Sequence, residues 1–466
     1  MRSQSKLLPA LIYAALTSAI VSSLGMLLVP EVSHELDVSV STAQWMLTVN
    51  LLIGAMATPI MGRMSDGPHK RRLLLVALAG ILLGSIIATA APNFVVFLLG
   101  RALQGLTYGI VPVTIALARR HLTEGKVHFG ISSLSVTVST GLGAGYPLTG
   151  ILAGAFGFRS AFIFAVLFLV TAIIVVLRFV PPGPDVRAPS VAFDYTGAIL
   201  LGIGLASFLV AVSEGSIWGW YSPLTVCCLV FSAGVLAAWS VVELHASHPL
   251  INLRVLQNGE VLLANATAIG LGAAMYATLS IVSLIAQAPV STGYGAALPL
   301  AWAGFVMLPL SMGSLGANRL VRAISHRLRM ATLLPFGACI VTISTVLLWM
   351  AHGELWEILV GMLLFGTGTG MTYAAMPGLI TRTVAATELG SAVSFNQVLR
   401  TIGGSFGSAV SGSVLGAHLA ADLHPVGKAI DATLAVSSLG CAIVAAALAL
   451  NLLWHHQARS AKEELR

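Results

Sequence analysis

Charge is scarce in this chain. Only 9% of its 466 residues are Asp, Glu, Lys or Arg, against about 25% in an ordinary globular domain. That scarcity excludes a water-soluble domain; with 57% hydrophobic residues and a mean hydropathy of +0.92, most of the surface must face lipid. Cysteine is nearly missing as well. Cys227, Cys228, Cys339 and Cys441 all sit inside apolar runs, without the spacing of a disulfide framework or a metal site, and read as small buried hydrophobes. No phosphate-cradling loop is present, so ATP-driven work by this chain alone is disfavoured and no cofactor or metal is expected. Histidines are scattered in loops and tails, whereas a membrane enzyme acting on lipid would need them clustered with Asp or Cys. Gly403-Gly404-Ser405-Phe406-Gly407 satisfies the hydrolase pattern G-x-S-x-G, but it lies inside an apolar helix and lacks the strand–turn–helix elbow which that chemistry requires.

What is present is a succession of apolar runs near the ~20 residues a bilayer demands. They fall at about 8–29, 42–62, 73–92, 94–118, 129–154 and 160–180, then 195–213 and 222–243, then 261–287, 297–320, 331–351, 355–380, 390–416 and 432–453. The spacing predicts an all-α integral membrane protein of about fourteen helices. Pro181-Pro182-Gly183-Pro184 opens a polar linker to Asp194, and Leu244–Gly259 forms a second. The run from Leu7 to Val29 follows Arg2 and Lys6 and lacks a convincing cleavage site, so it reads as a first helix and not a removed signal.

The net charge of +7 does not point to nucleic acid, because the cations sit in short turns between apolar runs. Arg159 and Lys428 fall on one side, Arg101 and Arg400 fall within helices, and the other twenty of the 24 Lys and Arg share the opposite side. The positive-inside rule makes that side cytoplasmic, with both termini there, and the chain a multi-pass protein of the inner (plasma) membrane. One turn concentrates the pattern: Gly62-Arg63-Met64-Ser65-Asp66-Gly67-Pro68-His69-Lys70-Arg71-Arg72 lies between two apolar runs, with Gly67-Pro68 as helix breakers and the basic cluster abutting the next helix.

An internal repeat underlies the runs. Gly100, Gly105 and Gly109 register with Gly361, Gly366 and Gly370 at an offset of 261, Gly130 and Gly143 with Gly390 and Gly403 at 260, and Pro59 with Pro309 at 250. Pro309 precedes a second basic turn, Arg319–Arg329. The first six and last six helices are thus expected to be two related bundles: residues 1–180, then a 181–260 segment with two inserted helices, then 261–454 and a 455–466 cytoplasmic tail. Transporters built from such repeats bind substrate between them near the membrane midplane.

These features resemble the major facilitator superfamily, in its fourteen-helix drug:proton antiporter branch (QacA/EmrB-like). The resemblance rests on the Gly62–Arg72 turn, on Val29-Pro30 followed by Gln44-Trp45-Met-Leu-Thr-Val-Asn-Leu-Leu52, and on Arg101-Ala-Leu-Gln104-Gly105. Pro249–Arg254 and Asn396-Gln-Val-Leu-Arg400-Thr-Ile-Gly403-Gly404 extend it across nearly the whole chain. It implies a secondary transporter working by alternating access, exporting small amphipathic compounds or antibiotics with protons as the coupling ion, and a monomer. An importer, or a metabolite or organic-anion transporter of the same fold that does not use the usual first-helix carboxylate, is the alternative, since fold does not fix substrate. It also implies that Gly62, Asp66, Lys70, Arg71 and Arg72 form a conformational latch, with Gly67 and His69 departing from the pattern. The family's antiporter motif is partly matched by Gly141, Gly145, Pro147, Gly150 and Gly154, whose spacing equally suits backbone-to-backbone helix packing.

Arg101 is the most informative residue, because a cation inside a spanning helix is costly and must face protein or a water-filled cavity. With Gln104, Gly105 and Tyr108 it makes one helical stripe, at the depth of Asn50, Ser22 and Ser23. Candidate substrate-binding residues are Asn50, Arg101, Gln104, Tyr108 and Tyr146 in the first bundle, and Asn265, Tyr276, Tyr373, Asn396 and Arg400 in the second. The resemblance also implies an aspartate nine residues before Pro30; Val21 stands there, and the first helix carries no acid. Glu31, Glu214 and Glu243, at helix ends, are the remaining carboxylates to carry a proton.

Overall fold

A computed structural model describes residues 2–38, 40–183, 194–247, 249–251, 253–254, 258–324, 330–384, 389–416 and 426–464. Residues 184–193 of the first expected linker, 248, 252 and 255–257 of the second, 325–329 of the second basic turn and 465–466 of the tail lie outside the described residues.

The described chain is helical and contains no strand, as a bilayer dictates, because helices satisfy their own backbone donors and acceptors where water is missing. The first half contains α1 (Arg2–Ser23), α2 (Val29–Glu35), α3 (Val40–Asp66), α4 (Lys70–Ala90), α5 (Phe94–Gln104), α6 (Ile110–His121), α7 (Glu124–Phe156) and α8 (Phe158–Phe179). Then come α9 (Tyr195–Trp218) and α10 (Pro223–His245). The second half contains α11 (Gly259–Gln287), α12 (Leu300–Ala303), α13 (Leu308–Ile324), α14 (Met330–Met350), α15 (Leu355–Thr383), α16 (Leu389–Gly416) and α17 (Gly427–Glu464).

Twelve helices among the described residues are long and apolar enough to cross a membrane. The segments expected at 129–154 and 390–416 are helical, as α7 and α16, but are not among those twelve, so the count of fourteen is not established. Both are rich in Ser, Thr and Gly, residues that suit helix–helix contact better than lipid. The expected tail after residue 454 is not a separate element: α17 continues to Glu464.

The apolar interior divides in two. One cluster joins α1 through α8 around Phe97, Phe162 and Leu78; the other joins α11 through α17 around Phe365, Ile281 and Leu334 and takes in Met26, Leu27 and Tyr146 from the first half. A small third cluster holds α9 and α10 against both halves, with Leu201, Leu205 and Trp239 meeting Ala55 of α3 and Phe395 and Val398 of α16. The inserted pair therefore lies along the seam.

Three repeat-related glycine pairs make equivalent contacts. Gly100 lies against Gly84 and Ala88 of α4, and Gly361 against Leu348 of α14. Gly105 and Gly109 face α3 at Asn50 and Met61, and Gly366 and Gly370 face α13 at Leu310 and Ser314. Gly143 and Gly403 are not equivalent, since the first meets Ser311 across the seam and the second meets Ile269 within its own half. The glycines of the hydrolase-like pattern have the same structural use: Gly403 and Gly407 bring α16 onto the backbone of α11, and Ser405 only bonds back to the Thr401 carbonyl.

Candidate functional site

Arg101 sits near the end of α5, where the helix tightens into a 3-10 stretch, Gly105–Gly109, before α6 resumes. Mid-helix 3-10 segments accompany hinges or close packing, and here a side chain at Gly105 would meet the Asn50 carbonyl at 2.7 Å. α1 is broken at the same depth: it ends at Ser23, and a 3-10 turn, Met26–Leu28, follows Gly25. A Cβ on Gly25 would stand 2.8 Å from Arg101 Nη2 and 2.5 Å from Leu47 Cδ2. The missing side chain is the space that the guanidinium needs.

Arg101 is 1% exposed and bonds only neutral groups. Its Nε donates to the Met46 carbonyl at 3.3 Å and its Nη1 to Gln104 Oε1 at 2.5 Å. Gln104 Nε2 donates in turn to Ser85 Oγ at 2.9 Å, and Ser85 to the Ile81 carbonyl, so the amide keeps its oxygen towards the arginine. The Phe162 ring centre is 5.9 Å from the guanidinium carbon. Asn50 Nδ2 donates to the Arg101 carbonyl at 3.1 Å.

A cavity opens beside this group at the seam of the two halves. Ser22, Met26, Leu47, Asn50, Leu51, Arg101, Tyr108 and Tyr146 line it from the first half, and Met275, Tyr276 and Leu279 of α11 from the second. The Tyr108 and Tyr276 hydroxyls are 3.3 Å apart and bridge the halves. Five of the ten residues singled out from sequence thus meet here: Asn50, Arg101, Tyr108, Tyr146 and Tyr276. Gln104 stands behind Arg101. Asn396 instead donates to Asn265 Oδ1 at 2.9 Å and to the Ala264 carbonyl at 3.1 Å, joining α16 to α11. Arg400 stacks on Tyr373, 4.5 Å from its ring centre, and donates to Gln397 Oε1 one turn back. The apolar wall of Met26, Leu47, Leu51, Met275 and Leu279 was not singled out, because an apolar residue facing a cavity looks in sequence like one facing lipid.

Among the described residues, no carboxylate lines the cavity. Glu214 accepts from the Trp45 indole, Glu243 from Trp239 Nε1 at 3.1 Å, and Glu31 lies on α2 with Oε2 buried and unpaired.

At the Gly62–Arg72 turn, α3 runs one turn further than expected, to Asp66, and α4 starts at Lys70. Asp66 does not cap α4. Its Oδ2 is buried without a hydrogen bond, 3.9 Å from Arg63 Nη1, in the field of Lys70 and of Arg119 on α6. Lys70 Nζ closes the turn by donating to the Gly67 carbonyl at 2.8 Å, and Arg71 Nη2 donates to Leu177 of α8 at 2.9 Å. Gly62 is buried and Arg72 exposed.

On α7 the small-residue stripe has two faces. Gly141 and Gly145 seat α1 at Ala19 and Ser23, whereas Gly150 and Gly154 seat Leu300 and Ala301 of α12. Pro147 lies against Gly304, just after α12. α7 is therefore packed between the halves.

Known proteins resemble this chain in sequence and in fold. The chain is 27% identical over 399 residues to the multidrug resistance protein Stp of Mycobacterium tuberculosis, covering 85% of this chain and 73% of that one. It is 27% identical over 423 residues to the puromycin resistance protein pur8 of Streptomyces alboniger, covering 87% and 80%. In fold it matches the crystal structure of the POT family transporter PepTSo, with a TM-score of 0.66 over 97% of this chain and 98% of that one, at 14% identity. The family model of the Major Facilitator Superfamily matches residues 10–408, and the chain belongs to that family of transporters.

Proposed function

We propose that the chain is a secondary transporter that exports small amphipathic compounds, antibiotics among them, by alternating access. The observation that carries this reading is the cavity at the seam, lined from both halves and bridged by the Tyr108–Tyr276 hydroxyl contact. A site shared by two bodies changes its exposure when they rock. The names of Stp and pur8 favour toxic compounds as cargo.

On this reading residues 1–180 and 261–454 are the moving bundles and 181–260 carries the two inserted helices; Asn50, Arg101, Tyr108, Tyr146 and Tyr276 contact the cargo. Gln104 supports Arg101 from behind, while Asn265, Tyr373, Asn396 and Arg400 support the second bundle's packing rather than the cargo. The chain acts as a monomer in the plasma membrane with both termini cytoplasmic. Protons are the candidate coupling ion, and Asp66 with its basic neighbours is the latch. The inter-bundle contact at Gln44 and Gly412, where a Cβ would stand 3.3 Å from Gln44 Oε1, closes in one state and parts in the other.

Purified protein in liposomes should move a labelled amphipathic drug, and an imposed pH gradient should raise the rate. Gln44→Cys with Gly412→Cys, joined by a short thiol crosslinker, should stop that flux, and reduction of a cleavable linker should restore it. Flux that persists through the crosslink would remove alternating access about this seam.

A further inference from the structure

Arg101 brings a full positive charge to the cavity, and among the described residues no carboxylate lines it. An arginine stays protonated in any protein environment, and a buried charge is tolerated only with compensation. Every group bonded to the Arg101 guanidinium is neutral: the Met46 carbonyl and the Gln104 amide, with the Phe162 ring beyond them. Leu47 and Leu51 supply only hydrocarbon beside it in the cavity wall. The end of α5 one turn away contributes a partial negative charge of roughly half a unit at most, weakened because the backbone runs on into the 3-10 stretch.

Arg400, the other intramembrane arginine, also has a glutamine amide and an aromatic ring in place of a carboxylate. The cavity sets the Arg101 charge beside the rings of Tyr108, Tyr146 and Tyr276. Among the described residues Nη2 of Arg101 meets no hydrogen-bond acceptor; it stands beside the place a Gly25 side chain would take, on a residue that lines the cavity. A donor held ready and unpaired in a buried site marks where an acceptor belongs.

We infer that the transported compounds are carboxylates: an aromatic or apolar body packs against Tyr108, Tyr146 and Tyr276, and the carboxylate supplies the missing counter-charge to Arg101. This rests on the transporter reading above and narrows it to one substrate class. A cationic compound would meet like charge and no acid, and would leave Arg101 uncompensated.

The test compares three probes of one shape, 2-naphthoate, 2-naphthamide and 2-naphthylmethylammonium, for binding and for flux in liposomes holding the full chain. Naphthoate should bind at least about ten-fold tighter than the other two, the difference that one hydrogen bond to a charged group provides. Arg101→Gln should cut the naphthoate-to-naphthamide affinity ratio by about the same factor. Arg101→Lys should also lower it, because a point charge does not reproduce the guanidinium fork. Should the Arg101 variants fold poorly, Leu47→Glu decides independently: it places a carboxylate across the Gly25 gap from Nη2, and the preference should move from naphthoate to the ammonium. Wild-type protein that favours the ammonium, or an affinity ratio unmoved by Arg101→Gln, overturns the inference while transport stands. Absence of flux for all three probes overturns the transporter reading together with it.

Discussion

Arg101 is held by a relay of neutral groups, and each member is open to test. Gln104 is the residue that accepts from Nη1 while its own amide nitrogen is occupied by Ser85. Replacing it by a leucine of similar bulk strands one arm of a charged group, while Ser85 keeps its bond to the Ile81 carbonyl. Gln104→Leu is therefore expected to lower stability by about 1–3 kcal/mol, read as a fall in the thermal unfolding midpoint in detergent. An unchanged midpoint would show that water replaces the amide. Arg101 and Gln104 were legible from their i, i+3 spacing in an apolar helix, because an intramembrane cation is conspicuous. Gly25 was not legible: nothing local distinguishes the glycine beside the guanidinium from the other 46 in the chain.

At the scale of elements, α7 is the strut between the halves. Its stripe looked like one packing surface in sequence, yet Gly141 and Gly145 serve α1 while Gly150 and Gly154 serve α12. A side chain at Gly150 would meet the Leu300 carbonyl at 2.5 Å. Gly150→Leu is expected to leave the first half folded, jam the seam and abolish flux with normal abundance in the membrane; flux at the wild-type rate would show that the seam yields there. The turn between α3 and α4 makes a second element-scale case. Asp66 has a buried, unpaired oxygen near three cations, a charge arrangement that neutralisation weakens. Asp66→Asn should slow transport several-fold with little loss of protein, whereas a wild-type rate would reduce Asp66 to a local turn residue.

For the whole molecule, orientation is the open quantity that labelling answers. Ser65 is buried and unsuitable as a probe, but His69 at the basic turn and Glu35 at the end of α2 are exposed. In a background with the four cysteines replaced by alanine, Glu35→Cys should react with an impermeant maleimide in intact cells. His69→Cys should react only after the membrane is opened, since the basic side faces the cytoplasm. The reverse pattern would invert the molecule. The sequence by itself determined the solvent, the helices and the uneven cations, because span length, breakers such as Gly67-Pro68 and charge placement act locally along the chain. Only the tertiary structure decided which faces meet. It set Tyr276 of α11 against Tyr108 and paired Asn265 with Asn396 away from the cavity. It also left Arg101 facing the seam without an acid, because contacts between helices far apart in sequence depend on rotation and depth, which a 3.6-residue period leaves free.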